Sequence, residues 1–322
     1  MKTRFEWLLI LAAASVAFCA DSKLQVPVMG FVARSSPITV QPILGVPGSV
    51  VLGPAIALPE GVSKLAIAPG QAFGLTEAAD ANEARLITLT SESASSPQAI
   101  SGAFAHWDRI AFSGSGGWAV LYSGASKQAQ VVSGLPSQAA VDRTVDLSSL
   151  GDVPLTAIAV SDDGQSVLAG QSDGTSGAIW LYAAGKDPRK LSNAGSPSML
   201  KFLPGSQDVL VADQALKQVL VLSGSDLRVV AGEAQGLTAP VDMEMSADRK
   251  QVWIADGAGL FSVQLDSSTV SFQATPYAPA SLNRSSAKTV FLLLGQDGDS
   301  SGLWAPESSS KQVWQFPGSK VE

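Results

Sequence analysis

"AIAVSDDGQSVLAGQ" (157–171) reads as one β-hairpin. Four apolar residues run into Ser161-Asp162-Asp163-Gly164, and a second apolar run leaves that turn. Ser, Asp and Gly suit tight turns because their side chains bond nearby backbone or because they accept positive φ. Two adjacent aspartates can be a ligand pair or a turn. The rest of the chain favours the turn, because the same plan recurs.

The recurrence is plain in "RIAFSGSGGWAVLYSG" (109–124), "MLKFLPGSQDVLVA" (199–212) and "DMEMSADRKQVWIAD" (242–256). It is weaker in "KLAIAPGQAFGLTEA" (64–78) and "SLNRSSAKTVFLLLG" (281–295). The slot of the two aspartates holds Pro69-Gly70, Gly114-Ser115, Pro204-Gly205 and Ala247-Asp248 elsewhere. A slot that any turn-former can fill carries little chemistry. The central apolar residue of each first strand is Leu65, Ile110, Ile158, Leu200, Met243 or Leu282, at steps of 45, 48, 42, 43 and 39 residues. Such a period, with several short strands per unit, is the signature of a β-propeller.

Each unit has the same grammar. A short apolar strand, nearest the axis, leads through the turn into a strongly hydrophobic second strand such as "DVLVAD" or "QVWIAD". A continuous apolar run of that length fits a strand covered on both faces. A third strand returns in "AIWLY" (178–182), "QVLVL" (218–222) and "GLFSVQL" (259–265). The fourth is more polar, as an exposed edge requires: "PRKLSN" (188–193), "LRVVAG" (227–232) and "TVSFQAT" (269–275).

Six units read in full. Ahead of them "GFVARSSPITVQPILG" (30–45) resembles the last hairpin, "GLWAPESSSKQVWQFPG" (302–318). At about 43 residues per unit, the chain length predicts an all-β propeller of seven blades, with six as the alternative, each of four antiparallel strands. Residues 21–322 form that one domain, with a partial N-terminal blade over 27–60 that the C-terminal hairpin completes, and a linker over 45–61.

With this architecture the chain resembles the secreted bacterial β-propeller repeat proteins of the broad YVTN/NHL and WD-repeat-like kind, over residues 27–318. The resemblance rests on the repeat. The Tyr-Val-Thr-Asn signature is missing, as are the Gly-His and Trp-Asp dipeptides at their usual places. Propellers of this kind include binding scaffolds, sugar lactonases and cofactor-dependent dehydrogenases, so the resemblance implies a fold and not one activity. The tryptophan-docking repeat of quinoprotein dehydrogenases is not visible.

Composition narrows the classes further. Hydrophobic residues make up 46% of the chain and charged residues 15%, enough for a sizeable core. The net charge of −7 repels phosphate backbones, so no nucleic-acid partner is expected. "MKTRFEWLLILAAASVAFCADSK" (1–23) has Lys2 and Arg4 ahead of an apolar run from Leu8 to Phe18. That run is too short to span a bilayer and reads as a signal peptide over 1–20, with a secreted or periplasmic product. Lipidation of Cys19 is the alternative. Cys19 is the only cysteine, so the mature chain has no disulfide and no thiolate site. No later segment reaches transmembrane length, and a monomer is expected.

The candidates for chemistry are few. His106 is the only histidine, and there is no Gly-x-Ser-x-Gly elbow. His106, Trp107 and Asp108 precede the first strand of a unit and could form a ligand pocket at the channel mouth, with Trp107 the most exposed tryptophan. Trp118, Trp180 and Trp253 lie in apolar strands and belong to the core. The leading reading is a non-enzymatic scaffold without a cofactor, binding a protein, peptide or glycan. The alternative is a calcium-dependent, lactonase-like hydrolase with its site in the central channel. Calcium takes oxygen ligands, which Asp108, Asp242, Glu244 and Asn283 could offer from innermost strands. Asp242 and Glu244, two residues apart on one strand, share a face. "GQDGDSSG" (295–302) reads as a solvated loop, and Asn283-Arg284-Ser285 matches a glycosylation sequon.

Overall fold

A computed structural model describes residues 26–35, 38–46, 49–79, 82–224, 226–246, 248–275 and 278–285, and the backbone of 291–295, 303–306 and 313–316. The expected signal peptide, Cys19 and most of the 295–302 loop lie outside the described residues.

The described residues form seven antiparallel sheets, six of them four-stranded. The first sheet holds β1 (Val28–Ser35), β2 (Ile38–Val46) and β3 (Ser49–Leu52). Blade 1 holds β4 (Val62–Ile67), β5 (Phe73–Ala78), β6 (Arg85–Thr88) and β7 (Gln98–Ala99). Blade 2 holds β8 (Arg109–Phe112), β9 (Ala119–Ser123), β10 (Gln128–Ser133) and β11 (Ala140–Asp146). Blade 3 holds β12 (Leu155–Val160), β13 (Ser166–Ser172), β14 (Gly177–Ala183) and β15 (Arg189–Ala194). Blade 4 holds β16 (Pro197–Phe202), β17 (Val209–Asp213), β18 (Gln218–Ser223) and β19 (Asp226–Ala231). Blade 5 holds β20 (Pro240–Met245), β21 (Gln251–Asp256), β22 (Gly259–Gln264) and β23 (Val270–Ala274). Blade 6 holds β24 (Pro279–Arg284), β25 (Phe291–Gly295), β26 (Leu303–Pro306) and β27 (Val313–Phe316).

The propeller therefore has six four-stranded blades, and the expectation of seven is corrected. Chain length and a strand-like hairpin counted residues 27–60 as a partial seventh blade, whose strands occupy 28–52. They form a three-stranded sheet whose β1 and β2 pair with each other from Val28↔Leu44 to Ser35↔Ile38. The last blade is completed by its own hairpin, β26–β27, and not by an exchanged N-terminal strand. Part of the expected linker is itself a strand, β3. Phe31, Val40 and Ile56 pack against Ile87 and Leu89 of blade 1, so the first sheet is held by apolar burial and not by sheet hydrogen bonds to a blade.

Within the ring the repeat grammar holds. Every residue of β5, β17 and β21 is buried, as both faces of a second strand meet neighbouring blades. Leu168 of blade 3 joins Leu200 and Val211 of blade 4 in one cluster, and Leu210 of blade 4 joins Met243 and Ile254 of blade 5 in the next. Strand β11 instead alternates exposed and half-buried residues along its length. The first strand shifts register near its start in blades 1, 3, 4, 5 and 6, as between Pro197 and Met199 or Pro240 and Asp242. A bulge there bends the strand where it enters the channel. Proline begins β16, β20 and β24, a strand position that needs no ladder donor.

The two aspartates of the opening hairpin have separate structural tasks. Asp163 Oδ1 accepts from Ser161 Oγ at 2.5 Å and from the Gln165 N–H at 2.9 Å, closing its own turn. The Ser246–Asp248 pair repeats this in blade 5, with Ser246 Oγ donating to Asp248 Oδ1 at 2.6 Å. Asp162 reaches sideways: its Oδ1 accepts the Ser115 N–H of blade 2 at 2.7 Å.

Candidate functional site: the central channel

The first strands of all six blades line a cavity of about 480 Å³ along the axis. Its wall is divided. Blades 1 to 3 contribute mainly Ala66, Ile67, Ala111, Phe112, Ala157 and Ala159, whereas blades 4 to 6 contribute Lys201, Asp242, Glu244, Asn283 and Arg284. The division is written in the repeat. Ala66, Ala111, Ala159, Lys201, Glu244 and Asn283 pair with Leu75, Val120, Leu168, Leu210, Trp253 and Leu292, so they occupy one equivalent step of six blades.

The charges on the polar side close on one another across three blades. Lys201 Nζ lies 2.5 Å from Glu244 Oε2 and 3.3 Å from Asp242 Oδ1. Arg284 donates to Glu244 Oε1 at 2.7 Å and to the Met245 carbonyl at 2.9 Å. Asp242 also accepts the Met243 N–H at 2.7 Å and the Leu282 N–H at 2.9 Å. Burial pulls the Lys201 ammonium down, but Asp242 and Glu244 outweigh it and hold it above its ordinary value. Burial pushes the Asp242 carboxyl up, against the opposing pull of Lys201 and the Leu282 N–H. Opposite charges on neighbouring blades thus tie blades 4, 5 and 6 together at the axis.

The expected trio at the mouth does not converge. His106 is exposed, with Nδ1 3.4 Å from Glu77 Oε2. Trp107 is corrected from exposed to buried: it is 2% exposed, within the core between blades 1 and 2. Its backbone N–H donates to Glu77 Oε1 at 2.7 Å, and Lys64 Nζ stands 5.5 Å over its ring. The reason is that Glu77 and Lys64 of blade 1 hold its backbone N–H and carbonyl while the indole packs among Phe73, Leu75 and Leu121. Asp108 lines the cavity on blade 2, and its Oδ2 accepts the Gly124 N–H at 2.6 Å.

Of the four expected oxygen ligands, Asp242 and Glu244 do share a face, since both reach Lys201. Asn283 lies beside them on blade 6, its Nδ2 3.3 Å from Ser281 Oγ, whereas Asp108 stands on blade 2. Among the described residues no three His, Cys, Asp or Glu side chains gather as a metal group. Lys201 and Arg284 were missed in the sequence. Their signal was available: a charge in an innermost strand that is apolar in other repeats.

No family model matches the chain, and no curated protein matches it in sequence. Solved structures do match in shape. One is hydrazine synthase from Kuenenia stuttgartiensis, with 12% identity, a TM-score of 0.58, and coverage of 95% of this chain and 100% of that one. A second is virginiamycin B lyase from Staphylococcus aureus, with 11% identity, a TM-score of 0.56, and coverage of 80% and 84%. A third is a proposed 6-phosphogluconolactonase from Bacteroides uniformis, with 15% identity, a TM-score of 0.55, and coverage of 89% and 94%. At these identities the likeness is one of fold. The chain is a six-bladed β-propeller, similar in fold to these three proteins.

Proposed function

We propose that the protein is a non-enzymatic scaffold, exported as a monomer to the periplasm or beyond the cell, that receives a protein, peptide or glycan ligand at its central channel. The observation that carries this reading is the closure of the channel charges on one another. Glu244 has one oxygen on Lys201 and the other on Arg284, so both are already engaged by cations. A wall of fixed, mutually satisfied polar groups opposite an apolar wall orients a ligand without activating it.

The calcium-dependent reading draws on Asp242 and Glu244, which both face the axis, with Asp108 and Asn283 as further donors. It requires a divalent ion to replace Lys201 as their partner. Metal analysis of the purified protein, with melts before and after chelation and a panel of lactones, separates the two readings. The scaffold predicts no stoichiometric metal, an unchanged melt and no hydrolysis. About one calcium per chain, lost together with stability, and a lactone turnover abolished by Asp242→Ala, would overturn it. N-terminal sequencing of the exported chain tests cleavage after residue 20 against lipidation at Cys19.

A further inference from the structure

Among the described residues the charged groups that line the channel are Asp108, Arg109, Lys201, Asp242, Glu244 and Arg284, three of each sign. Four of them form the ion-paired chain described above. Asp108 is bonded to the Gly124 N–H, and Arg109 Nε donates to the Leu155 carbonyl at 2.9 Å. The wall is therefore polar on one side, apolar on the other, and its described charges balance. An ionic ligand that drew on Lys201, Asp242, Glu244 or Arg284 would have to pull that charge from its partner, which is costly, and one that drew on Asp108 or Arg109 would meet the opposite charge on the adjacent residue. A purely apolar ligand would strip water from the polar side and return no hydrogen bonds. The ligand that loses neither is uncharged, rich in hydrogen-bonding groups on one side and apolar on the other.

We infer that the channel binds a neutral mono- or disaccharide, a reading that rests on the scaffold function and names its ligand class. Sugars carry vicinal hydroxyls, which match the paired polar atoms of carboxylate, guanidinium and amide groups. Glu244, Asn283 and Arg284 offer such groups side by side on two adjacent blades. The C–H face of a sugar ring needs an apolar surface, which Ile67, Phe112 and the channel alanines supply. The cavity of about 480 Å³ is within the range of small-ligand sites.

The test is titration calorimetry of the purified protein with maltose, cellobiose, lactose and N,N′-diacetylchitobiose. Glucuronic acid, glucosamine and a capped neutral dipeptide amide are titrated beside them. At least one neutral disaccharide binds, about tenfold or more tightly than either charged sugar. Ala66→Trp, which narrows the channel and leaves every charge in place, abolishes that binding. Asn283→Ala weakens it about tenfold, the loss expected for one bidentate contact. A melt checks that each variant folds. If Ala66→Trp does not, Asn283→Ala alone decides. The inference is overturned by no binding of any neutral sugar, by tighter binding of the charged sugars or the dipeptide, or by binding that Asn283→Ala leaves unchanged. Failure with sugars but binding of the dipeptide leaves the scaffold reading standing. Consumption of a bound sugar overturns the non-enzymatic reading and keeps the ligand class.

Discussion

Gly164 closes the turn of the Ser161-Asp162-Asp163-Gly164 hairpin at φ +69°, and a Cβ there would lie 2.2 Å from the Trp118 ring. Gly185 has nearly the same φ, +67°, with no atom within 4 Å of its would-be Cβ. The pair separates backbone strain from collision. Gly185→Ala should cost about 1 kcal/mol, the strain of a left-handed alanine. Gly164→Ala should cost about 3 kcal/mol, because the indole must also move. Urea unfolding of both variants measures the difference, and equal losses would show that Trp118 yields freely. The turn carboxylates set the acid response. Asp163 and Asp248 are held below the ordinary value of 3.8, first by the hydroxyls of Ser161 and Ser246 and then by the N–H groups of Gln165 and Lys250. A carboxyl with a lower pKa folded than unfolded stabilises the fold above the unfolded value, and that contribution is lost as pH falls through the folded one. Asp242, raised by burial, has the opposite sign. The melting temperature should therefore fall as the solution is acidified from about pH 5 to about pH 2, and fall less in Asp163→Ala.

At the scale of the element, the difference between second and fourth strands is the sharpest. Leu168 in β13 is fully buried between blades 3 and 4. Leu168→Ala should lose about 3 kcal/mol through lost transfer energy and a residual cavity. Thr144 in β11 is exposed on a half-polar strand, and Thr144→Ala should change stability by less than about 0.5 kcal/mol. Denaturant midpoints of the two variants check the ranking. A buried acid at the end of a second strand plays a related role. Asp256 is fully buried and accepts the N–H groups of Thr238, Ala239 and Ala258, at 3.0, 2.8 and 2.9 Å. It pins the segment that enters blade 5 and thereby sets where β20, with Asp242 and Glu244, meets the axis.

For the whole molecule the decisive feature is the ion-paired chain across blades 4, 5 and 6. Lys201→Met leaves Asp242 without its lysine and Glu244 with only Arg284, and should cost about 3 kcal/mol. Adding Glu244→Gln removes one stranded charge while its carbonyl can still accept from Arg284. The double variant should be more stable than the single one, with a coupling energy of about 1–3 kcal/mol in a double-mutant cycle. Additive losses would mean that the pair contributes nothing as a pair. The same closure explains why the acidic chain, at net charge −7, has a channel with no net sign.

The period of 39 to 48 residues, the Ser-Asp-Gly turns and the continuous apolar second strands determined a β-propeller from sequence alone. They do so because each is a local property: a turn needs its residues, and a strand buried on both faces needs an unbroken apolar run. The facing of Asp242 and Glu244 was equally legible, since it follows from the two-residue period of a strand. Blade number was not. Residues 28–52 have strand-like sequence either way, and whether they complete a blade or pack as a separate sheet on Ile87 and Leu89 depends on contacts far along the chain. Trp107 was misread for the same reason, because the indole is buried against Phe73 and Leu75 of a different blade. Only the closed ring brought Lys201, Glu244 and Arg284, about 40 residues apart from one to the next, within hydrogen-bond distance. Charge pairing between blades is a property of ring geometry, and no single repeat contains it.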